Sequence, residues 1–151
     1  MFEREGDGWR LAWDPQRDPF PWLIGGDGWA SELTAAEGQA LFQALTLLRG
    51  QHQRLADTLM EEEAIEIDYT GTIAPPPNGV EGSLWVTLDG DRQTWALRFV
   101  LQPPQGQRGL EGGWPREAAV PLLRAWASLE SGDGGLGARE GETRLLDGDD
   151  Q

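Results

Sequence analysis

LTAAEGQALFQALTLLRGQHQRLADTLMEEEA, residues 33–64, decides the fold of this chain. Thr34 is followed three residues later by Glu37, a pair whose side chains can each satisfy an orphan backbone N–H at a helix start. Leu41, Leu45, Leu48, Leu55 and Leu59 recur at steps of three, four or seven. At about 100° per residue they form one apolar stripe, with Ala44 and Ala56 on its flanks. Thr46, Gly50, Gln53 and Asp57 fall on the opposite side and are expected to meet water. A long helix this one-sided needs a partner surface, and alternating segments before and after it in sequence provide one.

Before the helix, Trp9, Leu11 and Trp13 alternate with Arg10 and Ala12, a strand with one apolar face. Asp14-Pro15 and Pro19 to Pro21 break it. A short strand over residues 22–24 meets Gly25-Gly26-Asp27-Gly28, turn chemistry that allows positive φ, and Trp29, Ser31 and Leu33 lead into the helix. Gly-Asp-Gly-Trp occurs at 6–9 and again at 26–29. A duplicated hairpin would explain it; so would the habit of Asp-Gly turns to precede a strand-opening aromatic, which is the preferred reading.

After the helix, Ile65, Ile67 and Tyr69 alternate with Glu66, Asp68 and Thr70. Leu84, Val86 and Leu88 alternate with Trp85 and Thr87. Trp95, Leu97, Phe99 and Leu101 alternate with Ala96, Arg98 and Val100. These three strands read as an antiparallel meander with a turn at Asp89-Gly90-Asp91. A glycine-rich stretch from Pro103 to Gly113 leads to a last helix bearing Leu122, Leu123, Trp126 and Leu129, with Pro121 in its first turn.

The order β-β-(β)-α-β-β-β-α predicts an α+β fold: a curved antiparallel sheet packed on one face by a long central helix and a short C-terminal one. Trp9, Leu11, Ile65, Ile67, Leu84, Val86, Leu97 and Phe99 are expected under the helices. Arg10, Glu66, Asp68, Trp85, Thr87 and Arg98 are expected on the open face.

The 151 residues suit one ordinary domain, placed at 1–129. Residues 130–151 hold six glycines, and seven acids against Arg139 and Arg144. A disordered acidic tail is expected there, because so few apolar groups cannot offset ordering entropy. The net charge of −14, with arginine as the only basic residue besides one histidine, repels nucleic acid and anionic membrane. Cysteine is absent, which removes disulfides and thiolate chemistry and suits a cytoplasmic address. No window has the roughly 18 apolar residues of a membrane span, and the N-terminus has no apolar signal core.

EGDGWRLAWD at 5–14, FPWLIGGDGWASELT at 20–34, MEEEAIEI at 60–67, WALRFVL at 95–101 and GGWPREAAVPLLRA at 112–125 together resemble the cyanobacterial and plastid domain-of-unknown-function family 1818. The resemblance covers roughly 5–129. It implies a fold like the Whirly and positive-coactivator single-stranded-DNA-binding transcriptional regulators, and it carries over no catalytic residue. The lysine-glycine strand motif by which Whirly proteins hold DNA has no counterpart here.

No constellation points to an enzyme or a cofactor. His52, the single histidine, falls on the leucine stripe and reads as a core-edge residue. Glu61, Glu62 and Glu63 read as a solvated acidic corner and not as a metal site. Pro75-Pro76-Pro77 reads as a stiff loop. What remains is the open face, where Trp85, Thr87 and Arg98, with Arg10 from the first strand, combine an aromatic with arginines. The expected function is a non-enzymatic binding module engaging a protein partner through that face or through a dimer interface, with a homodimer expected from the sheet's unprotected edges. A single-stranded nucleic acid is the alternative, opposed by charge.

Overall fold

The computed structural model describes residues 1–75, 79–104 and 108–131. Within them the chain runs β1 (Phe2–Gly6), β2 (Trp9–Trp13), β3 (Trp22–Gly26), β4 (Trp29–Leu33), α1 (Ala35–Ala56), β5 (Ile65–Ile73), β6 (Gly82–Gly90), β7 (Trp95–Gln102), β8 (Leu110–Trp114) and α2 (Arg116–Glu130). The class is α+β. The strands form two four-stranded antiparallel meanders, β1-β2-β3-β4 and β5-β6-β7-β8, and not the one sheet that the sequence suggests.

The extra strands are the two with the weakest apolar alternation. In β1, FEREG, only Phe2 is buried. In β8, LEGGW, two glycines look like linker chemistry, yet both sit where side chains cannot. A Cβ on Gly112 would stand 3.0 Å from the Phe99 ring and 3.1 Å from Trp29, and one on Gly113 only 2.5 Å from the Leu97 carbonyl oxygen. Glycine inside a strand marks close approach at such points. Both Gly-Asp-Gly-Trp copies are hairpin turns of the first sheet, pairing Gly6 with Trp9 and Gly26 with Trp29.

α1 begins as its capping residues require. The Glu37 N–H donates to Thr34 Oγ1 at 3.2 Å, and the Thr34 N–H donates to Glu37 Oε1 at 2.9 Å. Leu41, Leu45, Leu48 and His52 are buried along one stripe. The stripe then stops: the helix ends at Ala56, Leu55 is 45% exposed, and Leu59 lies beyond the last turn. Thr58 ends it by donating both its N–H and its Oγ1–H to the Leu55 carbonyl, at 3.0 and 2.8 Å. Local bonds of this kind compete with the next helical turn.

α2 starts at Arg116, behind Pro115 as its N-cap, so Pro121 is interior and not in the first turn. The carbonyl it deprives of a helical donor belongs to Glu117, an exposed residue in the first turn, where water can serve it. Of the expected tail 130–151, Glu130 closes α2 and Ser131 caps it; 132–151 lie outside the described residues, as do Pro76, Pro77 and Asn78 of the proline loop.

Each helix leans on more than its own sheet. α1 follows the first meander but packs mainly along β5 and β6, whereas α2 lies across β7 and also over β1 and β2. Leu11, Ile24, Leu45, Val86, Phe99 and Leu122 therefore share one core cluster drawn from both sheets and both helices. The Trp114 indole N–H ties the sheets together, donating to the Gly25 carbonyl at 2.8 Å.

Candidate binding surface

Alternation along β5 to β8 sends Ile65, Leu84, Val86, Leu88, Leu97, Phe99 and Leu101 into the core. The opposite set must then face outward. The strand register arranges it in rows. Thr70, Trp85, Val100 and Glu111 form one row; Asp68, Thr87, Arg98 and Gly113 form the next. Glu66, Asp89 and Ala96 make a third.

Three of the four residues singled out from sequence therefore share a surface. Trp85 is half-buried and Arg98 exposed. Thr87 is buried, and its Oγ1–H donates to Asp68 Oδ1 at 2.7 Å, so it fastens β5 to β6 beside the aromatic. Arg98 has no carboxylate within ion-pair distance among the described residues. Its stem lies over Gly113, where an added Cβ would stand 3.2 Å from its Cγ. Arg10 is elsewhere. It belongs to β2 in the other sheet, opposite Glu5, whose carboxylate is 3.9 Å from its Nε. The expected single sheet would have put it on the same face as Arg98; it lies in the other sheet.

The face is acidic despite Arg98, since Glu66, Asp68, Asp89 and Glu111 stand on it. Glu111 and Gly113 went unnoticed in the sequence because they sit in the glycine-rich strand β8. The signal available was the spacing from Gly112 to the buried Trp114, an alternation that two glycines conceal.

Sequence reasoning also missed an open hollow of about 580 Å³ where β2, β3, α1 and the end of α2 meet. Trp13, Trp22, Phe42 and Trp126 border it. Phe42 and Trp126 stack with centroids 3.9 Å apart, and Trp22 meets both. Trp22, Phe42 and Trp126 are 4%, 1% and 7% exposed, so they pack on one another and offer the hollow little more than their edges. Its aromaticity is core packing that reaches the surface.

Glu61, Glu62 and Glu63 are exposed, and the Glu63 carboxylate accepts from the Met60 N–H at 3.1 Å. Among the described residues no three acidic, histidine or cysteine side chains are grouped to hold a metal ion. No helix of the described residues is long and apolar enough to cross a membrane.

Residues 4–129 match the family model for a domain of unknown function (DUF1818), and the chain belongs to that family. A solved structure, described as a protein with unknown function from the DUF155 family from Prochlorococcus sp. NATL2A, is similar at 32% identity. That similarity covers 85% of this chain and 98% of the other, with a TM-score of 0.65. No curated protein matches.

Proposed function

We propose that this member of the family is a binding module without a reaction of its own, and that the outer face of the β5–β8 sheet engages a protein partner through Trp85. The observation that carries the reading is the placement of Trp85, half-buried at the middle of a solvent-facing sheet between Thr70 and Val100. Tryptophan at the centre of a surface patch has the large, rigid contact area typical of binding hot spots. Four carboxylates on the same face favour a partner segment with arginine or lysine side chains, whose aliphatic stems can cover the indole while their charges meet the acids.

A single-stranded nucleic acid is the second reading. Trp85 and Arg98 stand in neighbouring rows of adjacent strands and put an aromatic and a guanidinium on one face where a base could stack, and the resemblance to Whirly regulators drawn from the sequence leans the same way. The face lacks the basic groove that would track a phosphate backbone, so the protein partner is preferred.

The test is a pair of fluorescence-polarisation titrations at low salt, one with a labelled arginine-rich peptide and one with labelled single-stranded DNA. Trp85→Ala changes no charge, so nonspecific attraction of the peptide survives it and site binding does not. A loss of about tenfold in peptide affinity is expected, in the range of a hot-spot truncation. DNA binding with a steep salt slope, abolished by Trp85→Ala or Arg98→Ala, would replace the first reading by the second.

A further inference from the structure

The chain has 12 arginines, and among the described residues three of them stand within ion-pair distance of a carboxylate. These are Arg10, Arg17 and Arg116, at Glu5, Glu32 and Asp91. Arg49 and Arg124 have no such partner among the described residues, and both line a hollow of about 190 Å³. The hollow lies between α1, α2 and the β6–β7 turn; His52, Gln53, Gln93 and Trp95 also line it.

His52 gives the hollow its second unusual feature. The ring is 5% exposed and edge-on to Trp95. Its Nε2 lies 2.8 Å from the Asp91 carbonyl oxygen. A carbonyl can only accept, so Nε2 carries a proton, and in the neutral form of the ring Nδ1 keeps a lone pair. That nitrogen has no hydrogen-bond partner among the described residues. A buried polar atom left this way costs stability unless something in the hollow satisfies it.

The Asp91 carboxylate, in the turn whose carbonyl meets His52, is already engaged. Asp91 Oδ1 accepts from the N–H groups of Thr94 and Gln93, each at 2.9 Å, and Oδ2 accepts from Arg116 at 3.3 Å. The Thr94 and Gln93 amides, helped by the Arg116 charge and opposed by partial burial, hold the Asp91 carboxyl below the usual carboxylate range.

The geometry points to a binding site for a phosphate group, free or as a small monoester, between Arg49, Arg124 and His52. Guanidinium forks match phosphate oxygens. The Gln53 and Gln93 amides can donate to the same oxygens, and a phosphate hydroxyl can donate to Nδ1. The hollow is smaller than the roughly 300 Å³ at which drug-sized pockets begin, so it fits the group and few atoms more. The overall negative charge opposes an anion, but screening over about 8 Å at physiological ionic strength leaves the local arginines dominant. This site is independent of the Trp85 face.

As the only histidine, His52 is a clean reporter. Its imidazole resonances in the full-length protein are followed by NMR while inorganic phosphate, glycerol phosphate or sulfate is added at ionic strength held constant with sodium chloride. Saturable shifts with phosphate are expected. Glycerol phosphate has largely lost its phosphate hydroxyl at neutral pH, so it is expected to bind more weakly than inorganic phosphate; equal or tighter binding overturns the contact with Nδ1. Sulfate has no hydroxyl at neutral pH to offer Nδ1 and is expected to bind several-fold more weakly. Arg49→Gln and Arg124→Gln should each weaken phosphate about tenfold, as the loss of a charge-assisted bond implies. Arg124→Lys, which keeps the charge and loses the fork, should fall between wild type and Arg124→Gln. Non-saturating shifts, equal affinity for sulfate, or undiminished binding in the arginine variants overturns the assignment.

Discussion

The two halves of the molecule share a plan, four antiparallel strands and then a helix, but not a way of holding together. The first sheet is built of five-residue strands, and its hairpins close through the two Gly-Asp-Gly-Trp turns. In each, the indole lies across the glycine it pairs with: a Cβ on Gly6 would fall 2.4 Å from Trp9 Nε1, and one on Gly26 2.3 Å from Trp29 Nε1. Three strands of the second sheet, β5 to β7, run eight or nine residues, and Leu, Val, Ile and Phe alternation accounts for most of its burial. A small sheet with short strands buries too little to stand by itself. The first half therefore depends on tryptophans that reach beyond it, and the second supplies the surface they reach.

The largest effect should come from cutting that dependence at Trp114. Its ring is buried against Phe99 and Trp29, and its N–H serves the Gly25 carbonyl across the sheets. Trp114→Ala is expected to cost about 3–5 kcal/mol, the usual range for a large aromatic removed from a core. Trp114→Phe keeps much of the packing and strands the carbonyl, for about 1–3 kcal/mol. Urea unfolding followed by circular dichroism reads both. One transition is expected in each variant, because both halves share a core. Two transitions, with the longer strands outlasting the shorter, would show that the halves are separable after all.

A smaller effect tests how α1 is fastened to the first sheet. Gly38 lies in the second turn of the helix, and a Cβ there would stand 2.2 Å from Trp22 Cδ1. Helix propensity alone favours Gly38→Ala by about 1 kcal/mol. Contact with a 4% exposed indole, itself wedged between Trp13 and Phe42, should reverse the sign and cost about 1–3 kcal/mol. Gly50 is the control in the same helix. Its Cβ would meet only the end of the Arg54 side chain at 3.4 Å, so Gly50→Ala should stabilise by about 0.4–1 kcal/mol. Thermal melts of the two variants should move in opposite directions; parallel shifts would mean that Trp22 yields.

What the sequence made legible follows the same division. The capping pair Thr34 and Glu37, the stripe from Leu41 to Leu48 and the three alternating strands after the helix could all be read, because each repeats a local period. Hidden were the elements whose reason lies in a distant residue. β8 looks like a linker until Phe99 and Trp29 are seen to occupy the space over Gly112, and Leu55 looks like core until Thr58 ends the helix beneath it. The candidate face was half legible for the same reason. Trp85, Thr87 and Arg98 follow from alternation in two adjacent strands. Arg10 could be assigned only by knowing that the strands split into two sheets.

The smallest expected effect separates the two turn copies themselves. Gly8 and Gly28 occupy the same position in their turns, with φ of 80° and 82°, and each Gly→Ala pays the cost of a left-handed residue, about 1–2 kcal/mol. Their surroundings differ. A Cβ on Gly28 would meet nothing within 4 Å, whereas one on Gly8 would come 3.3 Å from the Ala118 side chain on α2. Gly8→Ala should therefore cost more than Gly28→Ala, by less than the roughly 1–3 kcal/mol of a well-packed site that is overfilled. Replacing Ala118 by Gly in the Gly8→Ala background should remove the excess, since it removes the methyl that the new Cβ meets. If the two single variants melt alike, the α2 contact is soft, and the first hairpin is held by its own strand pairing as the second is.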